Sequence, residues 1–221
     1  MYRNVIFDLD GTLVDSLPGV LRAFLQGFEE MGIEMDMEMM QINFREATPL
    51  ENTLSSFLPP DDVPAAVDRI IDIYLEVIAE GTELYPHVED TLDRLTAEGV
   101  GLAIATGKKI QTARRTLEVV GLQDRFLMVM GRDLVERSKP APDMVIRIVE
   151  DMNWSREETL FVGDTHNDIL AGRDAGVRTC VATYGYGDPA CVADAGPDHS
   201  IRSFKCLLDV VLDRDWMAQK H

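Results

Sequence analysis

Residues 5–16 read VIFDLDGTLVDS, and this stretch decides the fold. Three consecutive apolar residues, Val5, Ile6 and Phe7, run into two aspartates, Asp8 and Asp10, separated only by Leu9. Continuous rather than alternating apolarity marks a strand buried on both faces, as in a parallel sheet. Residues two apart in a strand point to one face, and open α/β sheets place ligands at the carboxyl ends of their strands. Asp8 and Asp10 are therefore expected close together at the mouth of a site. Gly11 and Thr12 permit a sharp turn that aims backbone N–H groups at a bound anion. Two close carboxylates ionise together only if a cation neutralises them or one keeps its proton. Magnesium, which takes a few carboxylates plus water and substrate phosphate, suits such a pair. One carboxylate can then attack phosphorus, while its neighbour protonates the leaving oxygen and later deprotonates water.

Four further apolar runs resemble the first: VGLAIAT (100–106), FLMVM (126–130), TLFVGD (159–164) and RTCVAT (178–183). Between them lie amphipathic segments of helical length, at 88–98, 110–120, 141–152 and 167–175, several ending at a C-cap glycine: Gly99, Gly121 and Gly176. This rhythm predicts an α/β fold: a Rossmann-like parallel sheet with helices on both faces, closed by a last helix over 203–213. About ninety residues separate the first strand from the second, far more than one crossover needs. Helices are expected there at 17–32, 36–46, 49–58 and 61–80, punctuated by Gly32, Pro49, Pro59-Pro60 and Pro64. The expected organisation is an α/β core of residues 1–15 and 83–221, with an inserted all-helical cap at 16–82. The methionine-rich MGIEMDMEMM (31–40) reads as packing within that cap.

A formal charge of −18 repels nucleic acid and anionic lipid, so neither is an expected partner. It also means that an anionic substrate needs local positive charge, from a metal or a few lysines. Three cysteines, Cys180, Cys191 and Cys206, without C-x-x-C or His-rich spacing, argue against a disulfide framework or a zinc site. Carboxylates at positions 8, 10 and 15 are incompatible with a secretory signal, and no apolar run nears the ~18 residues of a membrane span. A cytoplasmic protein is expected, as a monomer or a homodimer.

DLDGT closely resembles the first motif of the haloacid dehalogenase-like hydrolase superfamily, and three more motifs follow in that family's order: ATGK (105–108), SKPAPD (138–143) and VGDTHND (162–168). The resemblance implies that Asp8 is the nucleophile, forming an aspartyl-phosphate, and that Asp10 is the general acid/base. It implies Mg2+ held by Asp8, the backbone carbonyl of Asp10, and Asp164. Thr106 would hydrogen-bond the transferring phosphoryl group, beside Gly107 and Lys108. Lys139 would neutralise its charge, and Asp168 would support the metal indirectly. These parts suit phosphoryl transfer, which is mostly positioning and neutralisation of equatorial oxygens. His166 stands at the expected edge of the site, but an imidazole at a helix start reads more readily as a surface residue.

Within that superfamily several chemistries are disfavoured. Dehalogenases lack the second aspartate, and transport ATPases carry a threonine there. The sugar-phosphate mutases have a cap histidine, absent from the LPGVLRAF that follows Asp15-Ser16, and phosphonate hydrolases need a cap lysine, whereas residues 16–82 contain none. Phosphomonoester hydrolysis remains. DGTLVDS, ATGK, SKPAPD and TYGYG (183–187) look most like the phosphoglycolate phosphatase subgroup, although TYGYG is equally a plain glycine-rich loop. The cap loop REATPLENT departs from that subgroup, where a glycine is expected near Ala47. Arg45 and Thr48 of this loop are the cap's candidate substrate contacts. A sugar phosphate, a nucleotide monophosphate or pyrophosphate are alternative substrates, and a non-catalytic regulatory protein is a weaker alternative.

Overall fold

The computed structural model describes residues 1–34 and 50–212. Its strands are β1 (Asn4–Phe7), β2 (Val14–Asp15), β3 (Glu83–Leu84), β4 (Gly101–Thr106), β5 (Met128–Gly131), β6 (Thr159–Gly163), β7 (Arg178–Ala182) and β8 (His199–Ile201). Its α-helices are α1 (Leu17–Glu30), α2 (Leu50–Leu54), α3 (Val63–Val77), α4 (Val88–Ala97), α5 (Ile110–Val119), α6 (Asp143–Asp151), α7 (His166–Ala175), α8 (Pro189–Ala195) and α9 (Leu207–Leu212).

Six strands form one parallel sheet in the order β5-β4-β1-β6-β7-β8. The continuous apolar runs are explained by burial on both faces. In β1, Val5 and Phe7 join one core with Leu102, Ile104, Leu160 and Val162, while Ile6 joins the other with Ala103, Ala105 and Phe161. The first face is covered by α4, α5 and α9 through Leu92, Leu95, Leu117 and Leu207. The second is covered by α6 and α7 through Met144, Val145, Ile148 and Ala171. Gly99, Gly121 and Gly176 take left-handed φ of 77°, 73° and 78°, as expected where a helix ends on glycine.

Between β1 and β4 the chain builds a separate helical layer. Helices α1, α2 and α3 share their own apolar cluster, centred on Phe24, Phe28, Leu54, Val67, Ile70 and Ile73. The two-residue antiparallel pair β2–β3 stands where the chain leaves the sheet for this insert and where it returns. The expected 49–58 helix is shorter, ending at Leu54, and the helix expected over 61–80 runs Val63–Val77 before a 3-10 turn. The expected 36–46 helix lies outside the described residues. The last helix is divided into a 3-10 turn (Phe204–Cys206) and α9. Strand β8 and helix α8 were not expected, being too short for their periodicity to stand out. No helix among the described residues is long and apolar enough to cross a membrane.

Candidate active site

The sheet order puts β1 between β4 and β6, so Asp8, Thr106 and Asp164 all stand at adjacent carboxyl ends. Asp8 is tied to the strand next door, its backbone N–H donating to the Val162 carbonyl at 2.8 Å. The buried Lys139 ammonium reaches across from the loop before α6. It donates to Asp8 Oδ1 at 2.8 Å, Asp168 Oδ1 at 2.6 Å and the Ala105 carbonyl at 3.0 Å, which uses all three of its donors. Asp168 turns its other oxygen to Thr165, accepting from the backbone N–H at 3.0 Å and from the hydroxyl at 2.7 Å. It therefore caps α7 and fixes Lys139 at once.

Asp164 is held from two sides. Thr12 Oγ1 donates to its Oδ1 at 3.3 Å, and the Tyr186 backbone N–H donates to its Oδ2 at 2.7 Å. Gly11 has φ +78°, and a Cβ there would stand 2.2 Å from Asp164 Oδ2. A Cβ on Gly185 would stand 2.3 Å from the Asp164 Cβ and 2.4 Å from the Gly11 carbonyl oxygen. Gly185 of TYGYG thus lets a backbone approach this carboxylate, and Gly187 lets it approach the Asp164 carbonyl.

The Asp10 side chain turns the other way. It pairs with Lys108 Nζ at 2.8 Å and accepts a hydrogen bond from the Ser16 hydroxyl. Lys108 Nζ also lies 4.7 Å from the ring centroid of Tyr74, on α3. Thr106 Oγ1 accepts from the Lys108 backbone N–H at 3.2 Å. A cavity of about 330 Å³ joins Asp8, Asp10, Thr106, Gly107, Lys108, Lys139 and Asp164, and the insert roofs it with Val20, Phe24, Ile70 and Tyr74.

Burial pushes the Asp8 carboxyl up from its ordinary 3.8 to about 7; Lys139 opposes this, while the charges of Asp168 and Asp10 add to it. Burial, then Asp168 and Asp8, hold Asp164 well above the usual carboxylate range. Burial alone would lower the Lys139 ammonium, but Asp168 and Asp8 outweigh it and raise its pKa. Lys108 is raised likewise, chiefly by Asp10 against its own burial. Carboxylate oxygens of Asp8, Asp164 and Asp168 lie within 4.8 Å of one another. Four acids facing two ammonium groups leave two formal negative charges, and oxygen-only donors favour a hard cation. The residues fit one divalent metal ion.

The structure brings together Asp8, Thr106, Gly107, Lys108, Lys139, Asp164 and Asp168 as the motif order implied. The Asp10 carboxylate faces Lys108 instead of joining the acidic cluster, because that lysine and Ser16 both claim it. Arg45 and Thr48 lie outside the described residues. Asn167 lines the cavity, whereas His166 starts α7 with its Nδ1 buried and without a hydrogen bond. Sequence reasoning missed Ser16, Tyr74, Arg132 and Tyr186. Only Tyr186 carried a signal, since it stands between the two glycines of TYGYG.

A family model for haloacid dehalogenase-like hydrolases matches residues 5–182. Curated phosphoglycolate phosphatases from Shigella boydii and Escherichia coli K12 are 34% and 33% identical over 229 residues, covering 93% of this chain and 91% of theirs. A solved structure described as a predicted phosphoglycolate phosphatase from Haemophilus somnus superposes with a TM-score of 0.85 at 26% identity, covering 95% of this chain and 97% of that one. On the family match and these identities, the chain belongs to the haloacid dehalogenase-like hydrolases.

Proposed function

We propose that the protein is a Mg2+-dependent phosphomonoesterase whose substrate is 2-phosphoglycolate. The observation that carries this reading is the single buried Lys139 ammonium bridging Asp8 and Asp168 beside Asp164, at the floor of a cavity that also holds Thr106 and Asp10. A phosphoryl group seated there meets a nucleophile, a cation and a hydroxyl at once. The names of the curated relatives supply the substrate.

Asp8 and Asp164, with the backbone carbonyl of Asp10, are the proposed ligands of the metal. When bound, Mg2+ neutralises phosphoryl oxygens and keeps Asp8 ionised. An Asp8 oxygen attacks phosphorus, and the ester P–O bond breaks as the leaving oxygen takes a proton from Asp10. Asp10 then removes a proton from water, which attacks phosphorus and displaces the Asp8 carboxylate, releasing inorganic phosphate. Thr106 hydrogen-bonds the transferring group, and the Lys139 ammonium neutralises charge on it and on Asp8. The inserted helices act as a cap, excluding bulk water while the phosphorylated Asp8 exists.

The test is phosphate release from a panel of esters with Mg2+, with EDTA, and with Asp8→Asn. Chelation and Asp8→Asn should each depress turnover by at least about 10³-fold. Hydrolysis that survives both would sink the mechanism; a low rank for phosphoglycolate would sink only the substrate.

A further inference from the structure

Arg132 is the first residue after β5, and its backbone N–H donates to the Lys108 carbonyl at 2.9 Å. Because β5 pairs with β4 through Gly131 and Thr106, Arg132 begins beside the loop that holds Thr106 and Lys108. Its half-buried side chain lines the cavity together with Leu50 and Thr53 of α2. Glu51, on that same short helix, grips it bidentately: Nη1 donates to Oε2 at 3.0 Å and Nη2 to Oε1 at 2.5 Å.

The other described cations of the cavity wall are committed elsewhere. Lys139 belongs to Asp8 and Asp168, and Lys108 to Asp10. Lys109 is 41% exposed, with Asp68 as its neighbour at 3.9 Å. Like Lys109, Arg132 stands clear of Asp8, Asp164 and Asp168, but it is the less exposed of the two. A guanidinium carries five N–H donors, so the fork that Glu51 engages leaves three. A partly exposed ion pair adds little stability, so the consequence of Glu51 is orientation: it fixes the plane in which the remaining donors lie.

We propose that Arg132 reads the leaving group, donating to the carboxylate of a phosphorylated 2-hydroxy acid, with Glu51 as the positioning residue that aims it. The inference rests on the phosphomonoesterase reading above and explains what would make it selective. In 2-phosphoglycolate the carboxylate is one methylene from the ester oxygen, so a cation next to the phosphoryl loop is where that charge arrives. Glu51 comes from the insert and Arg132 from the sheet, so the anion site is complete only when the two are in contact.

The experiment compares kcat and KM for 2-phosphoglycolate and for ethyl phosphate, which keeps the ester but replaces the carboxylate with a methyl group. Mg2+ is present throughout, in the wild type, Arg132→Gln, Arg132→Lys and Glu51→Gln. Arg132→Gln should raise KM for phosphoglycolate about 10- to 100-fold while leaving ethyl phosphate within about 3-fold. Arg132→Lys, keeping the charge without the fork, should fall between, and Glu51→Gln should give a smaller rise on phosphoglycolate alone. Equal losses on both esters would overturn the proposal in favour of a plain latch between insert and sheet. So would a wild type showing no preference for phosphoglycolate over ethyl phosphate. Failure to hydrolyse either ester would instead overturn the phosphomonoesterase reading itself.

Discussion

Asp168 is counted among three clustered acids by distance, yet its bonds say something different about it. One oxygen is taken by Lys139 and the other by the Thr165 N–H and hydroxyl. With only 1% of the residue exposed, it has no water to fall back on. Its effect on chemistry therefore passes through Lys139, whose ammonium it holds beside Asp8. Asp168→Asn keeps the shape but removes the charge, leaving Lys139 with one carboxylate and putting an amide N–H among its donor neighbours. Breaking one partner of a buried pair typically costs about 3 kcal/mol or more, which urea denaturation should register. Misplacing the lysine should lower kcat on the order of 10- to 100-fold, the usual scale for residues that orient a metal-site group. Wild-type stability in this variant would mean that the lysine does not depend on Asp168.

At the level of elements, the joint between insert and sheet hangs on a cap supplied from elsewhere in the chain. Ser16 stands at the N-cap of α1, but its hydroxyl is directed to Asp10 and caps nothing. The N–H groups of Ser16 and Leu17 instead donate to the Tyr186 hydroxyl at 2.9 and 3.1 Å, the Leu17 N–H being shared with Asp15 Oδ1 at 3.2 Å, and that hydroxyl donates onward to the same Asp15 Oδ1 at 2.8 Å. Losing a helix N-cap costs about 0.5–2 kcal/mol. Tyr186→Phe should show a loss in that range by denaturation, with faster hydrogen exchange localised to the first turn of α1. Unchanged exchange there would count against the hydroxyl as a cap. The loop carrying Tyr186 was visible in the sequence as TYGYG, but its purpose was not, because the residues it serves are about 170 positions away. The strands were legible for the opposite reason: burial on both faces writes itself into a few consecutive residues, and Asp8, Thr106 and Asp164 sit directly at the ends of three of those runs. Two-residue strands such as β2 and β3 write nothing comparable. Arg132 and Glu51, 81 residues apart, meet only through the packing of the insert, so no local pattern announces them.

For the whole molecule, the same buried acids that suit a cation set how stability responds to pH. The folded protein holds a proton on Asp8 up to about pH 7, whereas an unfolded chain releases it near the ordinary 3.8. Asp164 is raised in the same direction, chiefly by burial. Between those limits the native state binds more protons than the unfolded state, so stability falls as pH rises. Lys139 and Lys108, both raised above their ordinary values, stay charged throughout and leave the sign unchanged. The net charge of −18 pushes the same way, since each ionised acid adds to self-repulsion. A divalent cation binds the ionised carboxylates, so it displaces these protons and removes the penalty. Thermal melts of metal-free protein should therefore show Tm declining from pH 5 to pH 8. Adding Mg2+ should raise Tm more at pH 8 than at pH 5, with proton release on binding at the lower pH. Asp164→Asn should shrink the response to Mg2+ at both. A Mg2+ shift that is equal across this range would place the ion somewhere other than these carboxylates.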